Sequence, residues 1–247
     1  MLQTLALGGG QVEQAGERAR LRLPPTPQRV YADAQLDDYH GLKRRNFPDS
    51  PPVRMRVRAR ASHPNPAGTL GFGFWNDPFS LSGGVLAAPN AVWFFYASPP
   101  SDTALAEGVP GRGWKAATLN AGRLHPLILA PAALTAIALT RLPGLGNPVM
   151  AAARRAVQAH ESLLDDISLT DWHEYELEWH PAEAVFRVDG VERLRSSAPP
   201  RGPLGFVAWV DNQYAIASRE GKFGFGLCEV REEQWLELEQ LAVSSEQ

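Results

Sequence analysis

Trp172-His-Glu-Tyr-Glu-Leu-Glu-Trp-His180 sets His173, Tyr175, Leu177 and Trp179 on alternate positions, with Glu174, Glu176 and Glu178 between them. Successive side chains of a β-strand point to opposite faces, so this spacing predicts a strand with one buried and one wet face. The same alternation recurs on both sides of it. In Glu17–Leu23, Ala19, Leu21 and Leu23 oppose Arg18, Arg20 and Arg22, and in Val53–Ala61 five apolar residues oppose Arg54, Arg56, Arg58 and Arg60. A closing strand is predicted over about 234–243, with Leu236 and Leu238 opposite Glu237 and Glu239.

Thr69–Trp75, Ala91–Ala97 and Leu204–Val210 are apolar on both faces, which suits mid-sheet strands or the floor of a groove. Val185–Val188 runs into Asp189-Gly190, a tight-hairpin signal. Strands spaced in this way, with 22 Gly and 21 Pro for turns and edges, predict an all-β, two-sheet antiparallel jelly-roll sandwich. One interruption is expected. Ala132–Leu142, and Val149–Leu164 behind an Asn147-Pro148 start signal, read as a small helical insertion at about 132–165 in a single domain spanning 1–247.

Composition excludes several function classes. A single cysteine, Cys228, forbids an intrachain disulfide and argues against a cysteine-ligated metal. A net charge of -3 offers no general attraction for nucleic acid or an anionic membrane. The first ten residues lack the basic start and apolar core of a signal peptide, so the sequence as written reads as cytoplasmic. The longest uncharged run, Leu124–Thr140, is broken by Pro126 and Pro131 and is too short to span a bilayer. The six His form no His-x-x-x-His or His-Glu-x-x-His motif, and no metal or cofactor is expected.

Two stretches carry a family resemblance. Asp171-Trp-His-Glu-Tyr-Glu-Leu-Glu-Trp-His-Pro181, followed by Val185-Phe-Arg-Val-Asp-Gly190, resembles a strand pair of family 16 glycoside hydrolases and related concanavalin A-like domains. Gly71-Phe-Gly-Phe-Trp-Asn-Asp-Pro78 resembles the strand that precedes the catalytic one in that family, and Trp235–Val243 resembles the closing strand. The resemblance covers roughly residues 53–98 and 171–243. It implies a retaining mechanism with two carboxylates about 5–5.5 Å apart on one strand. The strand in the corresponding place, Ala91-Val-Trp-Phe-Phe-Tyr-Ala97, carries no acid. The resemblance therefore implies a glycan-binding or catalytically degenerate relative, and no catalytic residue is assigned.

Glu174, Glu176 and Glu178 have a suitable spacing for paired carboxylates, but the Arg ladders need acidic cross-strand neighbours. The predicted role of Glu174, Glu176, Glu178, Glu237 and Glu239 is to supply them. An anion or sulfated-polysaccharide site on those ladders is the weaker reading, because alternating Arg on a solvated strand face is ordinary.

Sugar rings pair apolar faces with a rim of hydroxyls, so their sites combine aromatic platforms with planar hydrogen-bonding groups. Trp75, Asn76 and Asp77 at one strand end, Trp93 and Tyr96 on the next strand, and Trp209, Asp211, Asn212 and Tyr214 at a third are the candidate ligand-binding residues for an oligosaccharide in a concave groove. The competing reading makes the Trp residues core and the Asn/Asp groups turn formers. Two alternatives stay open. One is an active hydrolase using Asp77 or Asp211, helped by Glu107 or His125. The other is a structural or protein-interaction domain that makes contact through the helical insertion.

Overall fold

Period-two alternation produces two seven-stranded antiparallel sheets in a computed structural model of the protein, which describes residues 2–78, 87–103, 105–122, 157–218 and 222–245. The first sheet runs, edge to edge, β1 (Gln3–Leu7), β4 (Asp33–Asp37), β13 (Gly205–Asp211), β6 (Thr69–Trp75), β7 (Asn90–Ala97), β8 (Gly113–Asn120) and β9 (Gln158–Leu163). The second runs β12 (Val191–Ser196), β11 (Ala184–Val188), β10 (His173–Trp179), β5 (Val53–Ala61), β16 (Gln234–Ser245), β3 (Arg18–Leu23) and β2 (Gln11–Ala15). β14 (Gln213–Ala217) and β15 (Phe223–Leu227) form a separate two-stranded hairpin. Strands distant in sequence lie side by side in both large sheets, and the architecture is the predicted jelly-roll sandwich.

Between the sheets, the inward faces of the central strands supply the core. Phe72, Phe74, Phe94 and Phe206 from the first sheet meet Tyr175, Trp179 and Phe186 from the second, all buried. Ring centroids are 5.1 Å apart for Phe72–Tyr175, 4.9 Å for Phe94–Tyr175 and 5.7 Å for Phe74–Trp179. The buried indole of Trp179 donates to Pro200 O at 2.8 Å, so its one polar atom is satisfied.

The outer face of the second sheet is a charge lattice. β5 pairs with β10 so that Arg54, Arg56 and Arg58 stand opposite Glu178, Glu176 and Glu174. β16 places Glu237 between Arg20 and Arg60, at 3.0 and 2.8 Å, and Glu239 between Arg18 and Arg58. Every Arg of the two ladders has a Glu partner, with Arg22 meeting Glu13 and Glu233. Burial opposes ionisation of Glu237, but hydrogen bonds and charge from Arg60 and Arg20 outweigh it and hold the carboxyl below its ordinary value. The ladders are cross-strand ion pairs, as expected.

The expected helix over Val149–Leu164 is corrected at its C-terminal end. Gln158–Leu163 is strand β9, which extends the first sheet through pairs such as Thr118↔His160 and Ala117↔Glu161. Local periodicity loses here to tertiary pairing: the open edge of β8 offers ladder hydrogen bonds, and Lys115 reaches across to Glu161 at 2.9 Å. Ala132–Leu142 and residues 149–156 lie outside the described residues. Among the described residues no helix is long and apolar enough to cross a membrane.

Candidate functional site

The first sheet turns its second face away from the core, and that face is built by strand parity. β6 presents Thr69, Gly71, Gly73 and Trp75 there, β7 presents Ala91, Trp93, Phe95 and Ala97, and β13 presents Val207, Trp209 and Asp211. Register sets Trp209 opposite Gly71, Gly71 opposite Phe95, and Gly73 opposite Trp93. The glycines matter because they leave the middle strand bare. A Cβ on Gly71 would lie 2.8 Å from the Trp209 ring, so the indole occupies space that any other residue would fill.

The result is a continuous aromatic patch. Trp75 and Trp209 are stacked, 6.4 Å between centroids and 8° between planes. Trp93 lies 5.2 Å from Trp209 and 5.3 Å from Phe95. Trp75, Trp93 and Phe95 remain half-buried, whereas Trp209 is 8% exposed. Trp209 Nε1 donates to Thr69 Oγ1 at 2.9 Å and Trp75 Nε1 donates to Tyr39 Oη, which fixes both rings. Beneath Trp75 the Tyr39 ring packs on Phe47, and Gln35 Nε2 donates to Asp37 Oδ2 at 2.8 Å.

The remaining sequence candidates occupy other environments. Tyr96 is three residues from Trp93, an odd interval on a strand, so its ring packs into the inter-sheet core at 4% exposure. Asn76 is buried, donating to Ala88 O and accepting from Asn90 N, and it ties the end of β6 to the start of β7. Asp77 is buried with φ 43°, and Arg44 donates to its carbonyl at 2.6 Å. Asn212 is fully buried, accepting from Ala32 N and donating to Val30 O and Cys228 O. Tyr214 leaves the sheet on β14 and lies over Gly226. Glu107 sits exposed in a turn, and His125 lies outside the described residues.

Asp211 lies at the Thr69 end of the patch, directly opposite Asp33 of β4. Burial pushes the Asp211 carboxyl up to about 6 despite hydrogen bonds from Thr69 and Gln213. Burial, and then the charge of Asp211, push Asp33 well above the usual carboxylate range. Oδ2 of Asp33 is buried with no hydrogen-bonding partner. Asp33, Gln35 and Asp37 were legible as an alternating polar set in Asp33-Ala-Gln-Leu-Asp37, and Phe95 as the period-two neighbour of Trp93. Among the described residues no group of three or more His, Cys, Asp or Glu could hold a metal ion.

Two solved structures share this arrangement of strands. A legume lectin-like domain from Entamoeba histolytica matches 100% of this chain and 90% of its own, with a TM-score of 0.51 and 8% identity. An immunostimulatory antigen and pseudo beta-1,3-glucanase of Mycobacterium tuberculosis matches 94% of this chain and 76% of its own, with a TM-score of 0.51 and 10% identity. The chain has the concanavalin A-like lectin and glucanase fold. At these identities the likeness is one of fold alone. No protein-family model matches the sequence, and no curated protein matches it. On this concanavalin A-like sandwich, the outward positions of β7 are Ala91, Trp93, Phe95 and Ala97, with no carboxylate among them.

Proposed function

We propose that the outward face of the first sheet binds an oligosaccharide, with Trp75, Trp93, Phe95 and Trp209 as the stacking platform. The observation that carries this reading is the outward aromatic patch, in which half-buried Trp75, Trp93 and Phe95 surround the buried Trp209, held by Tyr39 and Thr69 and laid over bare glycine backbone. Indole and phenyl faces suit the apolar C–H faces of pyranose rings, and rigid aromatics lose little conformational entropy on binding. The site is non-catalytic in this reading, since β7 presents aromatics where the family resemblance calls for acids.

A second reading has its own observation. Asp33 and Asp211 form a cross-strand carboxyl pair in which burial and the neighbouring charge raise Asp33 well above the usual carboxylate range and burial raises Asp211 to about 6, and unequal proton affinities of two carboxyls are what divides acid from base in glycoside hydrolysis. One experiment separates the two. The wild-type protein is screened on a glycan array and against soluble β-glucans for reducing-end release, beside Trp93→Ala and Asp211→Asn. Array hits lost in Trp93→Ala, with no release of reducing ends, support binding. Release abolished by Asp211→Asn supports hydrolysis. A blank array on folded protein overturns the platform.

A further inference from the structure

Beyond Trp75, where β6, β7 and β8 reach their ends, a cavity of about 470 Å³ opens, within the size range of small-ligand sites. Arg44, Arg45 and Arg201 line it with Asn76, Asn90 and Asn120, and no carboxylate is among the described residues that line it. Among the described residues Arg45 and Arg201 meet no carboxylate, unlike the seven ladder arginines, each of which faces a Glu.

The wall is firmly built. Arg44 Nε donates to Asn76 O at 2.5 Å and Nη2 to Asp77 O at 2.6 Å. Asn90 accepts from Ala121 N and donates to Gly122 O, bracing the turn after β8. Arg45 and Arg201 are exposed and carry their charge to the opening. Two carboxyl groups, Asp49 and Asp38, lie behind the wall and face each other. Asp49, whose backbone pairs with Leu204, is pushed up by burial, and Asp38 is pushed up by burial and by Asp49.

The whole face is therefore polarised. Its Thr69 end holds the Asp33–Asp211 pair, its middle is aromatic, and just past Trp75 its neighbour Asn76 lines the cavity that carries the guanidinium groups. Guanidinium forks match carboxylate and sulfate oxygens in bidentate geometry, so the chemistry of this end suits an anion.

We propose that the ligand is an acidic oligosaccharide, whose carboxylate or sulfate group sits in the cavity lined by Arg45 and Arg201 while its rings lie on the aromatic patch. This rests on the reading of that patch as an oligosaccharide platform.

The test is calorimetric titration of the full chain with matched probes: oligogalacturonate and its carboxyl-reduced form, a chondroitin sulfate hexasaccharide and its desulfated form, and neutral laminarihexaose. The expected result is at least about tenfold tighter binding of one acidic probe than of its neutral counterpart. That preference should shrink between about 50 and about 500 mM salt and vanish in Arg45→Gln/Arg201→Gln. Arg231→Gln, with its side chain 85% exposed on a separate loop, should leave it intact. The oligogalacturonate and chondroitin arms tell a uronate site from a sulfate site. Equal affinity within every matched pair, with binding lost in Trp93→Ala, overturns the acidic ligand and leaves the platform standing. Acid-selective binding unchanged in the double Arg variant overturns the cavity as its origin. Binding to none of the probes overturns both.

Discussion

The Trp209 indole lies across Gly71 of the neighbouring strand, so close that a Cβ there would stand 2.8 Å from the ring and 2.4 Å from Phe94 O. One of those neighbours must move if the glycine is replaced. Gly71→Ala should therefore lower stability by about 1–3 kcal/mol, in the range of overpacking, and disturb the tryptophan bands in near-UV circular dichroism. An unchanged denaturation midpoint with an unchanged spectrum would show that the indole does not need the bare backbone.

Trp93 and Trp209 should behave differently when truncated. Trp209 is nearly buried and braced by Thr69, so Trp209→Ala is expected to cost about 3–5 kcal/mol, as large aromatic truncations in cores do. Trp93 is half-buried on the same patch, so Trp93→Ala should cost less stability while removing glycan affinity. Urea unfolding beside array binding checks both. Full affinity in a folded Trp93→Ala would remove Trp93 from the platform.

Asp211 makes stability depend on pH. Its folded pKa, about 6, lies above the ordinary 3.8 because of burial, so the folded state holds the proton more tightly than the unfolded chain. That contribution is complete below about pH 4 and is lost as pH rises through about 6, a change on the order of 3 kcal/mol. Asp211→Asn keeps an acceptor for Thr69 and should flatten this part of the curve. Urea midpoints from pH 4 to pH 8 measure it, and parallel curves for variant and wild type would refute the assignment.

Glu237 has the opposite sign. Its folded pKa is depressed by Arg60 and Arg20, so its stabilisation is present above the unfolded value and lost as pH falls through the folded one. Glu237→Gln strands two guanidinium groups around a nearly buried site, and about 1–3 kcal/mol should be lost at neutral pH. The difference should close in acid. Glu174→Gln, at a far more exposed pair, should cost under about 1 kcal/mol.

Much of this was legible along the chain. Val53–Ala61 and Thr69–Trp75 have the predicted bounds, and the Arg and Glu ladders were read correctly as partners because a strand face can neutralise its charge only across the sheet. Gln158–Leu163 was misread as helix, since a short half-apolar edge strand carries no period-two signal of its own. Tyr96 was grouped with Trp93 by proximity in sequence, although their spacing of three places them on opposite faces.

The sequence alone determined the alternating strands such as Val53–Ala61 and His173–Trp179, their buried faces and the absence of acids from Ala91–Ala97, because a period of two is a local property that such a strand carries by itself. Tertiary structure alone decided that Trp75, Trp93, Phe95 and Trp209 meet over two glycines, that Asp33 faces Asp211, and that Arg45 and Arg201 share a cavity. Those residues are brought together by strand order and register, which depend on how distant segments pair and not on any one segment's pattern.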